Sequence, residues 1–194
     1  MKYENMKLED LLLLAKKGDG RAFEQIVLQT ERAVYNLALS IVKKKEDAED
    51  VTQETYLRLW RAASELKLES SLKLYILRTA RNLALDLIRK NSKRDEIDTV
   101  ILDAEGEFEI DIADDSPDSR PDESYLRKIE KEVVRQSIEE LPSAAREIIV
   151  LRDIEGLSYT EIAEMLGLAE GTLKSKLFRA RERLRKIILS KNIF

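Results

Sequence analysis

Apolar residues recur at three-and-four spacing along most of this chain, which predicts helices and few strands. Phe23, Ile26, Val27, Ala33, Val34, Leu37, Ala38 and Ile41 form one stripe. Asp19 stands just before it, where a short carboxylate can accept from free backbone N–H groups and cap a helix from about Arg21. A second helix is expected from near Asp47, through "DAEDVTQETYLRLWRAA". Val51, Thr55, Leu59 and Ala62 make its stripe, with Tyr56 and Trp60 beside it, and the spacing assigns Trp60 to the core. A third, from about Ser71 to Lys90, sets Leu72, Ile76, Ala80, Leu83, Leu87 and Ile88 inward. It leaves Arg78, Arg81, Asn82 and Arg89 for another surface.

The periodicity then fades. From Asp95 to Asp122 the chain carries Pro117, Pro121 and "DDSPDSRPDES", and a structureless stretch of about 28 residues argues for a domain boundary. Beyond it, Leu126, Ile129, Val133 and Ile138 share a face. A further helix is expected to start near Pro142 and Ser143 and to stop at Gly156. Ser158 and Glu161 in "SYTE" have capping-box spacing. That helix runs to Leu166 and breaks at Gly167, where glycine can take a positive φ. A last helix covers about Glu170 to Lys191. Two short helices with Gly in the turn form a helix-turn-helix signature. Small Ala163 would let the pair cross closely, and Leu173 would plug the second helix onto the first. The expected architecture is all-α, with two small helical domains at 1–94 and 123–194 joined by a flexible acidic linker at 95–122.

Charge sharpens this division. The 194 residues carry a formal net charge of −4. Asp95 to Glu123 holds thirteen Asp and Glu against Arg120 alone, so the rest of the chain stands at +8. Ser70 to Arg94 is +6 and Gly171 to Lys191 is +7. Two anion-binding modules separated by a self-repelling tether would produce this pattern.

Composition removes several alternatives. There is no Cys and no His, hence no disulfide framework, no thiolate and no imidazole for metal binding or proton transfer. No Gly-rich phosphate loop is present, so an enzyme is the least supported class, and no cofactor or metal is expected. The longest apolar runs, "LLLLA" and "IIVL", are too short to span a bilayer. Glu9 and Asp10 interrupt the N-terminal apolar stretch, which does not read as a signal peptide. A cytoplasmic protein is expected.

The last helix presents Glu170, Thr172, Lys174, Ser175 and Arg179 early, with basic residues after them. That order suits a recognition helix, whose early residues read groove edges and whose later cations hold phosphates. The acidic start of the second helix, five acids between Glu46 and Thr55, is by itself a solvated face that suits the helix dipole.

Two blocks resemble the extracytoplasmic-function (group IV) sigma factors of bacterial RNA polymerase. "DAEDVTQETYLRLW" with "YILRTARNLALDLIRK" is similar to the family's region 2, and "LPSAAREIIVLRDIEGLSYTEIAEMLGLAEGTLKSKLFRARERLRK" to its region 4. The resemblance implies a transcription initiation factor, not a catalyst, that binds core polymerase through the β′ clamp coiled coil and the β flap. It implies docking by Asp47, Asp50, Gln53 and Glu54. Recognition and melting of the −10 element would fall to Lys67, Ser70, Ser71, Tyr75, Arg78, Arg81, Asn82, Asp86, Arg89 and Lys90. The −35 element would be read by Glu170, Gly171, Thr172, Lys174, Ser175, Lys176, Arg179 and Arg183. The acidic linker would thread polymerase channels that normally hold RNA, and a plain solvated tether explains its charge equally well. With no added domain after Phe194 and no long N-terminal extension, the resemblance implies regulation by a separate anti-sigma factor.

This chain departs from the family pattern at four positions. Tyr75 stands where Trp is frequent, Leu72 where Phe is common, Ala169 where Ser usually caps, and Lys176 in place of a frequent Arg. Two rival readings remain distinguishable. A stand-alone helix-turn-helix regulator predicts tight duplex binding without polymerase. An all-helical protein adaptor predicts no salt-dependent affinity for nucleic acid.

Overall fold

The computed structural model describes residues 3–67, 71–95 and 121–191, with 92–95 and 121–129 described as backbone only. Among the described residues all regular structure is helical, and no helix is long and apolar enough to cross a membrane. The chain divides into two compact units, Met1–Gly106 and Glu107–Phe194. The stretch read as a linker lies, over 96–120, outside the described residues.

The N-terminal unit contains α1 (Leu8–Ala15), α2 (Gly20–Val42), α3 (Lys45–Ala62) and α4 (Leu72–Asp95). Helix α2 is central and packs against the other three. It buries Ile26, Ala33, Val34, Leu37, Ala38 and Ile41, while Phe23 and Val27 are half-buried at the edge. Asp19 caps it as expected, accepting from Arg21 N at 3.1 Å and Ala22 N at 3.2 Å. Helix α2 ends at Lys43, which takes φ +68° and donates its N–H to the Leu39 carbonyl. This is the left-handed stop usually made by glycine.

Helix α1 was not foreseen as an element. It buries Leu11, Leu12 and Ala15, and Glu9 Oε1 accepts from Leu72 N at 3.1 Å. One of the orphan donors at the start of α4 is thereby satisfied from 63 residues away. Helix α3 buries Val51, Thr55, Tyr56 and Leu59. Burial pushes the Tyr56 phenol pKa up, and the hydroxyl lies 2.9 Å from Thr30 Oγ1.

The expectation for Trp60 is overturned. It is 49% exposed and meets Phe23 edge-on, with ring centroids 4.8 Å apart. The inward stripe of α3 is filled by Val51, Thr55 and Leu59, so the next residue falls at the rim of the interface with α2. In α4 the buried line is Leu72, Leu74, Ile76, Leu77, Ala80 and Ala84. The later Leu83 and Leu87 are half-buried and Ile88 is exposed, so the distal part of α4 leaves the core.

The C-terminal unit contains α5 (Pro121–Glu139), α6 (Ser143–Ile149), α7 (Tyr159–Leu166) and α8 (Glu170–Ser190). Helix α6 continues directly into a π-helical turn, Val150–Ile154. In that turn Glu155 N bonds the Val150 carbonyl, five residues back, at 2.9 Å. The segment stops at Gly156 with φ +71°. The core gathers Val133, Ile138 and Leu141 with Ile148–Leu151, Ile162, Met165, Leu173 and Leu177.

Candidate nucleic-acid interface

The helix-turn-helix forms as its local chemistry dictates. Ser158 and Glu161 make the reciprocal capping box, with Glu161 N donating to Ser158 Oγ at 3.2 Å and Ser158 N to Glu161 Oε2 at 2.8 Å. Gly167 takes φ +64°, and Leu168 N closes back onto the Ala163 carbonyl at 2.9 Å. Ala163 and Leu173 are buried together with Leu177 and Ala180. The opposite side of α8 is open, and Glu170, Gly171, Thr172, Lys174, Ser175, Lys176, Arg179 and Arg183 are all exposed. Helical spacing aligns Thr172, Ser175, Arg179 and Arg183 along one stripe. Ala169 gives α8 no side-chain cap. Phe178, absent from the expected surface, is 68% exposed one turn beyond Lys174 and Ser175.

The scaffold under α8 is polar as well as apolar. Arg152, in the π turn, donates to the Leu157 carbonyl at 2.6 Å, and Asp153 accepts from Arg181 Nε at 3.0 Å and from its Nη2. At the head of α8, Glu170 Oε1 accepts from Thr160 Oγ1 at 2.6 Å, while Lys174 Nζ lies 4.0 Å from Glu170 Oε2. These bonds join α7, the π turn and α8 along a separate line of α8, Glu170, Lys174 and Arg181, set apart from the Thr172–Arg183 stripe.

In the N-terminal unit the acidic candidates lie on α3. Asp50 and Gln53 are exposed, Asp47 and Glu54 are half-buried, and Glu54 accepts from Arg58 at 2.9 Å. An open groove of about 310 Å³ runs beside the packed α3–α4 contact, with Asp50 and Glu54 on one wall and Asp86 and Lys90 on the other. Leu83 and Leu87 contribute its apolar lining.

Along α4, spacing aligns Ser71, Tyr75, Arg78, Asn82, Asp86 and Arg89 on one stripe, flanked by Arg81 and Lys90. Asn82, Asp86, Arg89 and Lys90 are exposed, whereas Tyr75, Arg78 and Arg81 are half-buried. Asp86 pairs with Arg89 at 3.0 Å. Ser71 has a structural task, since its Oγ accepts from Leu74 N at 3.2 Å. Lys67 is exposed, and Ser70 lies outside the described residues.

Comparison with known proteins assigns segments of both units to the sigma-70 family. The family described as Sigma-70 region 2 matches residues 26–94, and that described as Sigma-70, region 4 matches 131–184. The chain is 33% identical to the RNA polymerase sigma-H factor of Pseudomonas aeruginosa over 181 residues, covering 93% of each. It is 30% identical to the ECF RNA polymerase sigma factor SigW of Bacillus subtilis, covering 93% of this chain and 96% of that one. Among solved structures it resembles the sigma factor of Bartonella quintana crystallised with the anti-sigma factor NepR. That likeness has a TM-score of 0.65 and 26% identity, over 86% of this chain and 96% of that one. The chain therefore belongs to the extracytoplasmic-function sigma factors, which direct RNA polymerase to promoters.

Proposed function

We propose that this sigma factor divides its work among three exposed polar faces. Asp47, Asp50, Gln53 and Glu54 of α3 dock the β′ clamp coiled coil, and the C-terminal unit engages the β flap. The α4 stripe, with Lys67 and Ser70 before it, meets the −10 element. The basic residues there draw in phosphate, and the segment before α4 captures a base extruded from the non-template strand. Extrusion costs about a few kcal/mol, which a shaped pocket and a cationic surround can offset. Helix α8 reads the −35 element, Lys174 and Ser175 facing base edges while Arg179 and Arg183 hold phosphate. The observation that carries this reading is the sidedness of α8: its eight candidate residues are exposed while Leu173, Leu177 and Ala180 anchor the other side.

The protein acts without catalysing a reaction, in the cytoplasm where polymerase works. The NepR complex of the Bartonella relative supports a separate anti-sigma partner here. The deciding experiment is run-off transcription by core RNA polymerase on fragmented genomic DNA, with and without this protein. Discrete protein-dependent transcripts are expected. Their absence, with tight duplex binding by the protein alone, would overturn the assignment in favour of a stand-alone regulator.

A further inference from the structure

We infer that Tyr159, the first residue of α7, is a positioning residue for base readout, acting through Lys174; this rests on the −35 reading of α8 given above. Two cations share its ring. The Arg152 guanidinium carbon lies 4.7 Å from the ring centroid and Lys174 Nζ lies 5.6 Å from it. Both distances fall within the range of attraction between a cation and an aromatic ring. Arg152 is itself tethered, donating to the Leu157 carbonyl at 2.6 Å from the π turn. The ring therefore meets both a tethered guanidinium and the Lys174 ammonium.

The neighbouring residue completes the restraint. Thr160 holds Glu170 Oε1 at 2.6 Å, and Glu170 Oε2 stands 4.0 Å from Lys174 Nζ. The first two residues of α7 thus each meet a charged side chain of α8, Tyr159 meeting Lys174 and Thr160 meeting Glu170. An unrestrained lysine is a flexible point charge that contacts any nearby acceptor, and discrimination between bases requires a donor at a defined place. Restraint before binding also lowers the ordering cost on contact. The sequence pattern gives no hint of this, because Tyr159 sits at a helix start with no periodic stripe to mark it.

The test uses the full-length protein with core RNA polymerase and a promoter library randomised across the −35 element, with bound DNA sequenced. Lys174→Ala is expected to flatten the preference at a particular position. Tyr159→Leu should flatten the same position by about two- to fivefold, while Tyr159→Phe retains the preference because the ring remains. Thr160→Val, which alters only an exposed hydroxyl, should affect that position too and serves if Tyr159→Leu does not fold. If Lys174→Ala changes the preference but neither Tyr159→Leu nor Thr160→Val does, the positioning role is wrong and the −35 reading stands. Should Tyr159→Phe behave like Tyr159→Leu, the hydroxyl carries the effect and the inference fails. A Lys174→Ala variant with unchanged preference overturns both.

Discussion

Arg146 donates through Nη2 to the Leu141 carbonyl at 2.8 Å from a side chain that is only 1% exposed. The same guanidinium bonds the Glu139 carbonyl at 2.7 Å and the Ile138 carbonyl at 3.3 Å. A helix end leaves carbonyls without partners, and here a buried cation closes the end of α5 against the start of α6. Burial lowers the Arg146 pKa, and the nearby Glu139 acts in the opposite direction. Arg146→Met would take this donor from the Glu139 and Leu141 carbonyls, while the Ile138 carbonyl keeps its bond from Leu141 N at 3.1 Å. It is expected to destabilise the C-terminal unit by about 3 kcal/mol or more. Denaturant unfolding of the full chain checks it, and a loss below about 1 kcal/mol would be too small for this role. Arg146→Lys should not restore stability, because one ammonium cannot reproduce the planar fork.

Glu139 adds a pH dependence. Burial pushes its carboxyl up to about 7, and Glu132 adds to the shift while Arg135, Arg146 and Lys191 oppose it. Its Oε1 has no hydrogen-bond partner. The folded-state pKa lies above the ordinary 4.5, so between these values the native protein holds a proton that the unfolded chain has released. Stability from this group is therefore present at acid pH and declines as pH rises through that window. Amide exchange across α6 to α8 should show protection falling from pH ~5 to ~7.5, and Glu139→Gln should reduce that fall. An identical fall in the variant would assign the effect to another group.

Gly167→Ala isolates a backbone effect. A Cβ at Gly167 would meet nothing within 4 Å, so only the φ of +64° penalises it. The expected cost is about 1–2 kcal/mol, and Gly167→Asn should cost less because Asn tolerates the left-handed region. Thermal unfolding measures both. A neutral Gly167→Ala would mean the turn relaxes without disturbing Ala163 and Leu173.

What could be read from the sequence was mostly local. Asp19, the Ser158–Glu161 box and Gly167 act on neighbours within a few residues, and each does in the structure what its chemistry predicts. The buried Ala163 and Leu173 followed from helix-turn-helix spacing. The unread features depend on distant partners. Helix α1 is a short apolar run whose polar Glu9 matters only through Leu72, and Trp60 lies at an interface rim that periodicity alone resolves poorly. The π turn adds a residue to one helical turn, so no pattern of 3.6 marks it. Arg146 reads as a surface cation until Ile138, Glu139 and Leu141 are seen around it. In the candidate faces, residue types and spacing were legible, but the tie from Thr160 to Glu170 and the capping bond of Ser71 were not.

Paired substitution tests the α3 face. Asp50 is exposed, and the partly exposed Glu54–Arg58 pair, one turn apart on α3, contributes only about 0.3–0.5 kcal/mol. Asp50→Ala with Glu54→Ala should therefore leave the fold intact. Binding to core polymerase, measured by competition with a labelled wild-type protein, should weaken by about tenfold or more, the scale expected when charged interface partners are lost. Unchanged affinity in a folded variant would move the docking site off α3.

Arg179 tests the phosphate side of α8. It is exposed on the same stripe as Thr172 and Ser175, far enough along the helix to reach backbone while earlier residues enter the groove. A cation that neutralises one phosphate displaces counterions regardless of base sequence. Arg179→Ala should therefore weaken holoenzyme binding to strong and weak −35 elements by the same factor. It should also make the slope of log K against log salt shallower by about 0.9, the value for one B-DNA phosphate. Binding is measured at low temperature, before the duplex opens, so that only the closed complex contributes. A loss confined to one −35 sequence would make Arg179 a base reader, and the division of labour along α8 would have to be redrawn.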